Sequence, residues 1–294
     1  MERYIEKAKI LIEALPYIKE FNSKVFVIKY GGSAMIDEKI KETVIEDIVL
    51  MKLVGLKPVV VHGGGNEISD TLKQMGRKSE FINGLRVTDA DTVEVVEMVL
   101  SGKINKGIVQ LIQNHGINAV GISGKDGKTL KVTKIENQTV DYGFVGEIDQ
   151  VDTTLINSLL DNDFIPVIAP LGTDANGQTY NINADYAASA IAGALNAEKL
   201  LFLTDVEGVL TDIKDKNSVI SRIKVNEVDA YISDGIISGG MIPKVECCVE
   251  GIHAGVKNVH ILDGRVEHCM LLEIFTKSGV GTMFGESFDM ENKK

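Results

Sequence analysis

The chain has 294 residues, of which 44% are hydrophobic and 25% charged, values typical of a globular protein. Its net charge of −11 argues against general attraction to nucleic acid or to an anionic membrane surface. The three cysteines have no metal-binding spacing and form no disulfide framework, which indicates a cytoplasmic protein without a protein-bound metal. The N-terminus does not resemble a secretory signal, and no apolar run is long enough to span a membrane.

The first 21 residues predict a helix with an apolar seam that requires a partner. Apolar residues recur there at alternating spacings of four and three, and Pro16 should kink the helix. The partner is either the rest of the same subunit or a second chain. The seam residues are Tyr4, Ala8, Leu11, Leu15 and Ile18.

Short apolar runs alternate with amphipathic segments along the rest of the chain, which predicts an α/β fold with helices on both faces of a mainly parallel sheet. The predicted strands are Lys24–Tyr30, Pro58–His62, Ile117–Ile122, Phe164–Ala169, Lys199–Thr204 and Asn258–Leu262. The predicted helices are Asp37–Val54, Glu67–Met75, Asp89–Ser101, Ile104–Asn114, Thr153–Asp161, Ala184–Leu195, Val225–Ser233 and Met241–Ala254. Residues 129–149 alternate as a hairpin would. A boundary near Gly172–Thr179 divides an N-terminal lobe, residues 24–175, from a C-terminal lobe, residues 176–294.

Two lysines lie next to glycine pairs at predicted strand and helix ends. Lys29 precedes Gly31-Gly32 at the end of an apolar strand, and Lys244 follows Gly239-Gly240 at the start of a helix. Such turns bind anions, because free backbone N–H groups and the positive end of a helix point at the ligand. Two cations on such turns indicate a reaction between negatively charged groups, and phosphoryl transfer is the reaction that we predict.

A third glycine turn follows the second predicted strand, in His62-Gly63-Gly64-Gly65. Three consecutive glycines carry a high entropic cost, which is justified where backbone approaches a ligand closely. For His62 itself we favour a structural, hydrogen-bonded role over a catalytic one.

Polar residues in two further segments have both structural and functional interpretations. Asn183 can serve as the N-cap of the predicted helix, and Asp185 as a carboxylate in its first turn. Asp185 can also hold lysine ammonium groups in place. Asn181 lies outside that helix. Arg86 is either a solvated loop residue or a bidentate partner for a substrate carboxylate.

The segment from Gly121 to Thr129 resembles a phosphate-binding Walker A loop but lacks one of its glycines. Ile122 occupies the position where the motif needs the first glycine, and the residues after the segment alternate like a strand rather than a helix. We therefore interpret it as a lysine-rich turn.

With these motifs in this order, the chain resembles the amino acid kinase family, and within it the members that phosphorylate N-acetyl-L-glutamate with ATP in arginine synthesis. The resemblance runs from about Lys24 to the C-terminus. It rests on Lys-Tyr-Gly-Gly, Val-His-Gly-Gly-Gly, Asn-Gly-Leu-Arg-Val-Thr, Tyr-Asn-Ile-Asn-Ala-Asp, Leu-Thr-Asp-Val-Glu-Gly-Val and Gly-Gly-Met-Ile-Pro-Lys. It implies a three-layer αβα sandwich. One small departure is Asn66, where relatives often have proline.

The resemblance also implies roles for individual residues. Lys29 would stabilise the transferring phosphoryl group from the acceptor side, Lys244 from the nucleotide side, and Asp185 would orient both. Magnesium would arrive with ATP. The substrate-binding residues implied are Gly64, Gly65, Arg86 and Asn181, and the nucleotide-binding residues implied are Gly31, Gly32, Thr204, Asp205, Val206, Gly208, Val209, Leu210, Gly240 and Met241.

The N-terminal helix resembles the kinked helix of arginine-inhibited members, which joins dimers into a hexamer. The implied assembly is a homohexamer, a trimer of dimers, inhibited by L-arginine. The implied arginine site consists of Tyr17, Lys199, His260, Glu273 and Gly279.

Two alternatives stay open. One is a sister carboxylate kinase, although the chain ends too soon after its last predicted strand for the extra domains that some of these enzymes carry. The other is a non-catalytic arginine-sensing module of the same fold, against which the intact set of Lys29, Asp185 and Lys244 argues.

Overall fold

The computed structural model describes residues 2–35, 37–277 and 279–288, and within them helices and strands alternate as predicted. The helices are α1 (Glu2–Phe21), α2 (Glu38–Leu53), α3 (Gly65–Gln74), α4 (Ala90–Glu97), α5 (Asn105–Asn114), α6 (Thr154–Asp161), α7 (Ala184–Ala194), α8 (Val228–Ser233), α9 (Met241–His253) and α10 (Cys269–Phe275). The strands are β1 (Val25–Tyr30), β2 (Lys57–His62), β3 (Phe81–Ile82), β4 (Leu85–Arg86), β5 (Ala119–Ser123), β6 (Leu130–Lys134), β7 (Gly146–Val151), β8 (Ile165–Ala169), β9 (Leu171–Thr173), β10 (Thr179–Asn181), β11 (Lys199–Thr204), β12 (Arg222–Lys224), β13 (Asn258–Asp263) and β14 (Thr282–Gly285).

Eight strands form the central sheet in the order β12-β14-β13-β11-β1-β2-β8-β5. The strand pairs are parallel except β13–β14, which confirms the mainly parallel sheet. The parallel strands end at the same edge of the sheet, so β1, β2 and β11 bring the predicted motifs together there.

Side chains of β1 alternate between two apolar cores, one on each face of the sheet. Phe26 and Ile28 belong to a core that includes residues of α2, α5 and α10. Val27 belongs to a second core, which includes residues of α6, α7 and α9. Helices therefore cover both faces of the sheet, and this is the three-layer αβα arrangement.

The predicted hairpin at residues 129–149 is confirmed as the antiparallel pair β6–β7. It belongs to a second, four-stranded sheet in the order β10-β9-β6-β7. The glycine-rich segment Gly172–Thr179 forms most of the β9–β10 turn in that sheet. The division into two lobes at this turn stays a prediction.

The prediction of two separate helices at Asp89–Ser101 and Ile104–Asn114 was wrong. The chain is helical without interruption from α4 through a π-helical segment, Met98–Ile104, into α5. Residues 102 and 103, which the prediction left outside both helices, belong to this π-helical segment, and the helix continues through them. The predicted helix Val225–Ser233 also begins with a short 3₁₀ turn, Val225–Glu227, before α8.

Helix α1 exposes much of its apolar seam. Tyr4 is 73% exposed, Leu11 72% and Leu15 51%, whereas Phe21 at the end of the helix is buried. The helix is continuous through Pro16, and the kink stays a prediction. Among the described residues, no helix combines the length and the hydrophobicity that crossing a membrane requires.

Candidate active site

Asp185 joins the two predicted catalytic lysines. Its Oδ1 lies 2.9 Å from the Nζ of Lys29, and its Oδ2 lies 2.9 Å from the Nζ of Lys244. The three side chains are 13 to 19% exposed, so this small cluster is largely shielded from water.

The charges of this cluster stabilise one another. Burial alone would raise the pKa of Asp185, but the ammonium groups of Lys29 and Lys244 outweigh it and lower that pKa to about 2. Burial lowers the pKa of Lys244, while the carboxylate of Asp185 raises it by more. Asp185 and Lys244 are therefore charged at neutral pH, and the ammonium groups of both lysines lie against a single carboxylate.

Local structure explains why these side chains meet. Asn183 caps α7 by accepting a hydrogen bond from the N–H of Asp185 at 2.8 Å, so Asp185 lies in the first turn of that helix. Lys244 lies in the first turn of α9. A Cβ atom added to Gly31 would lie 2.8 Å from the Nζ of Lys29. A side chain at position 31 would therefore push the ammonium group of Lys29 away from its place beside Asp185.

A cavity of about 330 Å³ lies beside this cluster. It is lined by Lys29 and Asp185 together with the glycine turns, Arg86 and Asn181. Helix α3 begins in this cavity at Gly65, and the described residues supply no acceptor for the N–H groups of Gly64 and Gly65. These two N–H groups are donors that an anion in the cavity can use.

Arg86 is buried and held in one orientation at the cavity wall. Its guanidinium donates to the carbonyl oxygen of Gly65 at 2.7 Å and to the hydroxyls of Ser79 and Ser69 at 2.6 and 3.0 Å. It also stacks on the ring of Phe81, 4.5 Å from the centroid. Burial lowers the pKa of Arg86, but a guanidinium keeps its charge at neutral pH. The alternative of a solvated loop residue is therefore wrong.

Asn181 lies at the end of β10, on the opposite wall. Its backbone N–H donates to the carbonyl of Phe144 at 2.9 Å, and its side-chain nitrogen lies 3.4 Å from the hydroxyl of Thr88.

Most of the predicted nucleotide-binding residues lie on the turn after β11 and at the start of α9, whereas two of them, Gly31 and Gly32, follow β1. Thr204 ends β11, and Gly240 and Met241 begin α9 one turn before Lys244. Gly208 has a φ of +145°, and an added Cβ would lie 2.6 Å from the hydroxyl of Thr282. That hydroxyl accepts a hydrogen bond from the N–H of Val209 at 2.9 Å. Glycine is thus required here for both conformation and space. The other predicted residues, Asp205, Val206 and Leu210, belong to the same turn.

Three of the five residues of the predicted arginine site form one buried chain of contacts, and a fourth, Gly279, lies beside it. Lys199 Nζ lies 3.0 Å from Nε2 of His260, and Nδ1 of His260 lies 2.8 Å from Oε1 of Glu273. The other oxygen of Glu273 accepts a hydrogen bond from the N–H of Val280 at 2.7 Å. A Cβ on Gly279, whose φ is +61°, would lie 2.6 Å from that oxygen.

Hydrogen bonds and the charge of Lys199 keep Glu273 ionised despite its burial. Burial alone would raise its pKa, but the bond from His260, the N–H of Val280 and the charge of Lys199 lower it to about 2. Burial, followed by the charge of Lys199, lowers the pKa of His260 to about 4, so the imidazole is neutral. Tyr17 is partly buried against the neighbouring core, to which Phe21 belongs.

Several contributors to the site were not identified from the sequence. Ser69 and Ser79 orient Arg86, Thr282 holds the turn after β11, and Asn105 contacts His62. Ser79 is seven residues from Arg86, the other three act on residues more distant in the sequence, and none of the four belongs to a recognisable motif. The rejection of a Walker A loop agrees with the structure, because Lys125 there pairs with Glu97 and the turn leads into β6.

Among the described residues, no group of three or more His, Cys, Asp or Glu side chains is arranged to hold a metal ion. Cys247 and Cys248 lie on the buried face of α9, and burial raises the pKa of both thiols.

Comparison with known proteins matches residues 24–263 to the model of the amino acid kinase family. An acetylglutamate kinase of Thermoanaerobacter pseudethanolicus is 56% identical over 289 residues, covering 98% of this chain and 96% of that protein. Among solved structures, carbamate kinase from Giardia lamblia bound to AMP-PNP has a TM-score of 0.65 at 21% identity, covering 90% of this chain and 99% of that one.

N-acetylglutamate synthase from Neisseria gonorrhoeae is also similar in fold. Its complex with coenzyme A and N-acetylglutamate has a TM-score of 0.83 at 24% identity, covering 96% of this chain. The present chain spans only 64% of the length of that synthase. A second complex of the synthase, with coenzyme A and L-arginine, has a TM-score of 0.80 at 22% identity, covering 95% of this chain and 65% of that one. The family model, the identity to an almost full-length relative and the shared fold lead to one conclusion: the chain belongs to the amino acid kinase family.

Proposed function

We propose that the chain transfers the γ-phosphoryl group of ATP to the side-chain carboxylate of N-acetyl-L-glutamate, the second step of arginine biosynthesis. The observation that carries this proposal is the pair of lysines held by Asp185 beside a cavity lined by Arg86 and free glycine N–H groups. The identity above 50% to acetylglutamate kinases, over almost the whole chain, supports the choice of acceptor.

The proposed mechanism depends on positioning and charge. Both reactants are anionic, and negative charge spreads over the transferring group in the transition state. Lys29 stabilises that group from the acceptor side and Lys244 from the nucleotide side, while Asp185 keeps both ammonium groups converging on one point. The acceptor carboxylate is already ionised at neutral pH, so no general base is required.

The cavity beside Lys29 takes the acceptor in this proposal. Arg86, whose guanidinium is fixed by two serine hydroxyls, binds the α-carboxylate, and Asn181 binds the amide end of the substrate. The N–H groups of Gly64 and Gly65 bind oxygens of the acceptor carboxylate and of the transferring phosphoryl group. The glycine turn after β1 also binds this phosphoryl group.

ATP binds, in this proposal, between the turn after β11 and the start of α9. Gly31 and Gly32 contact its phosphates, and the residues from Thr204 to Leu210 with Gly240 and Met241 line its pocket. A kinase that uses ATP needs a divalent metal ion, and we propose Mg²⁺ bound to the ATP phosphates. Because the described residues contain no carboxylate cluster for a metal, the phosphates themselves would supply most of its ligands.

An acceptor panel tests this proposal and its main alternative, a sister carboxylate kinase. ADP release from ATP is followed with N-acetyl-L-glutamate, L-glutamate, L-aspartate or carbamate as acceptor. We expect N-acetyl-L-glutamate to have the highest kcat/KM. A strong preference for free glutamate, aspartate or carbamate would reject the acceptor while leaving the family unchanged.

We also infer that the enzyme is a cytoplasmic homohexamer, a trimer of dimers, inhibited by L-arginine. The exposed seam of α1, including Leu11 and Leu15, would pack against another subunit. In the arginine site, the guanidinium group would pair with the ionised Glu273 and the α-carboxylate with Lys199. Tyr17, His260 and Gly279 would complete the site.

Two variants test this regulation against one control. Glu273→Ala should abolish inhibition by arginine, whereas Glu267→Ala, which removes an exposed carboxylate before α10, should leave inhibition unchanged. Deleting residues 1–20 should give active dimers in sedimentation experiments. A full-length protein that sediments as a dimer and is not inhibited by millimolar arginine would contradict the regulatory proposal alone.

A further inference from the structure

The π-helical segment between α4 and α5 packs directly under the glycine turn of the active site. A Cβ atom added to Gly64 would lie 2.4 Å from Cδ1 of Ile104 and 2.6 Å from Cδ2 of Leu100, both in that segment. Such segments are rare, and many of them occur at functional sites. The segment ends at Asn105, the first residue of α5, and this side chain is completely buried.

The surroundings of Asn105 fix the orientation of its amide. Its Nδ2 lies 2.9 Å from the carbonyl oxygen of Val167 and 3.3 Å from that of Ile122, and both of these oxygens can only accept hydrogen bonds. Its Oδ1 accepts a hydrogen bond from Lys106 Nζ at 3.0 Å. The reversed amide would place an oxygen against two carbonyls, so the nitrogen must face β5 and β8.

This orientation determines which nitrogen of His62 carries the proton. The amide nitrogen of Asn105 carries two hydrogens, and its two nearest acceptors are the carbonyl oxygen of Val167 at 2.9 Å and Nε2 of His62 at 3.2 Å, with the carbonyl oxygen of Ile122 slightly further away. Nε2 therefore faces a donor and accepts its second hydrogen. The proton is therefore on Nδ1, which lies 2.9 Å from the carbonyl oxygen of Gly63 and donates to it. Burial lowers the pKa of His62 to about 4, so the ring is neutral at the pH of catalysis.

The bond from His62 also orients the next peptide group. In a trans peptide the C=O of Gly63 and the N–H of Gly64 point in opposite directions. Because the C=O is held toward the His62 ring, the N–H of Gly64 points away from it. Gly63, Gly64 and Gly65 all line the cavity that contains Lys29. A contact that turns the Gly63–Gly64 peptide therefore controls a donor of the reaction site.

We propose that Asn105 is a positioning residue for phosphoryl transfer, which acts through His62 to hold the Gly64 N–H toward the reacting groups. This inference rests on the proposed function, because it assigns the Gly64 N–H to the acceptor carboxylate and the transferring phosphoryl group. Asn105 touches neither reactant. Its contribution is to select one tautomer of a buried imidazole, and the imidazole then fixes the peptide.

Kinetics of the full-length chain test the proposal with a matched control. Asn105→Ala should lower kcat by roughly 10- to 100-fold, which is somewhat less than the effect of removing an oxyanion-hole hydrogen-bond donor altogether. The KM for ATP and the KM for N-acetyl-L-glutamate should each change by less than about threefold. Ile108→Ala, which removes buried apolar contacts one turn further along α5, should destabilise the chain but leave kcat near that of the wild type. Asn105→Ala and His62→Ala should be non-additive, because they interrupt the same chain of contacts.

A spectroscopic measurement supplies a readout that loss of packing alone would not change. Long-range ¹H–¹⁵N spectra of the histidine side chains, with the His62 signals assigned by comparison with His62→Ala, should show His62 protonated on Nδ1 in the wild type. Asn105→Ala should shift His62 toward a mixture of tautomers, while Ile108→Ala should not. The wild-type spectrum tests the proposal even if Asn105→Ala does not fold.

Three results would overturn it: a wild-type His62 protonated on Nε2, full additivity in the double mutant, or equal losses of kcat in Asn105→Ala and Ile108→Ala. Failure of the proposed function gives a different result, since N-acetyl-L-glutamate would then be a poor acceptor for the wild type itself. In that case the tautomer of His62 would still be measured, and the kinetic comparison would use the acceptor that the panel identifies.

Discussion

Replacing Asp185 with asparagine keeps the shape of the side chain and removes the charge that holds Lys29 and Lys244 together. Both lysines lose their 2.9 Å ion pairs, and two largely buried ammonium groups are left facing each other. The variant should therefore lose stability and turnover together. Turnover should fall by about two or more orders of magnitude, comparable to the loss of a preorganised transition-state donor.

The magnitude of the stability loss follows from the pKa of Asp185. Its value falls from an ordinary 3.8 to about 2 in the folded chain, and each unit corresponds to about 1.4 kcal/mol. The carboxylate thus contributes about 2.5 kcal/mol to the free energy of unfolding at neutral pH. Because the pKa is lower in the folded state, this contribution is present above pH 4 and is lost as the pH falls from about 4 to about 2.

Urea unfolding of wild type and Asp185→Asn between pH 7 and pH 3 measures this contribution, and an ADP-release assay at pH 7 measures turnover. At pH 7 the free energy of unfolding of Asp185→Asn should be lower than that of the wild type by about 2.5 kcal/mol or more, because unpaired buried charges add to the loss. This difference between the two proteins should become smaller below pH 4. Asp47→Asn, a buried isosteric change away from the site, should keep normal turnover. An Asp185→Asn variant with turnover within threefold of wild type would refute the role given to Asp185.

Other substitutions test neighbouring parts of the site and of the fold. Lys29→Ala and Lys244→Ala should each lower kcat by about two or more orders of magnitude, and near-normal turnover in either would remove that lysine from catalysis. Arg86→Lys should mainly raise the KM for N-acetyl-L-glutamate, measured at saturating ATP, because bidentate carboxylate binding is lost. Burial raises the pKa of Asp47 to about 6 despite its contact with His268, so its ionisation destabilises the fold as the pH rises from about 4 to 6. In urea unfolding, the free energy of unfolding of the wild type should decrease by about 3 kcal/mol over this pH range, and that of Asp47→Asn should not. The same pH dependence in the wild type and in Asp47→Asn would contradict this reasoning.

The positions of the lysines and of the glycine turns could be predicted from the sequence because the signals are local. An apolar strand that ends in Lys29 and Gly31 must place them at the carboxyl edge of the sheet, and the Asn183 cap fixes the start of α7. Strand pairing then brings β1 next to β2 and β11, so local motifs become neighbours without any further information.

The parts that escaped prediction depend on contacts between distant residues. Asn105 was not identified because its partners belong to β2, β5 and β8. The strands β12 and β14 are only three and four residues long, too short for a periodic pattern. The antiparallel direction of β14 is likewise set by pairing with β13 and not by its own residues.

The central position of β1 has a consequence for how the chain folds. This strand is synthesised first, yet it lies between β2 and β11, with Phe26 opposite Lys199 in the register. Until β11 has been made, one edge of an apolar strand keeps its backbone N–H and C=O groups unpaired, and such edges readily pair with other chains. Long-range parallel pairing is also slow, because its loop-closure entropy must be overcome before the contacts stabilise it. The N-terminal half is therefore the part of the nascent chain that most needs protection from aggregation during synthesis.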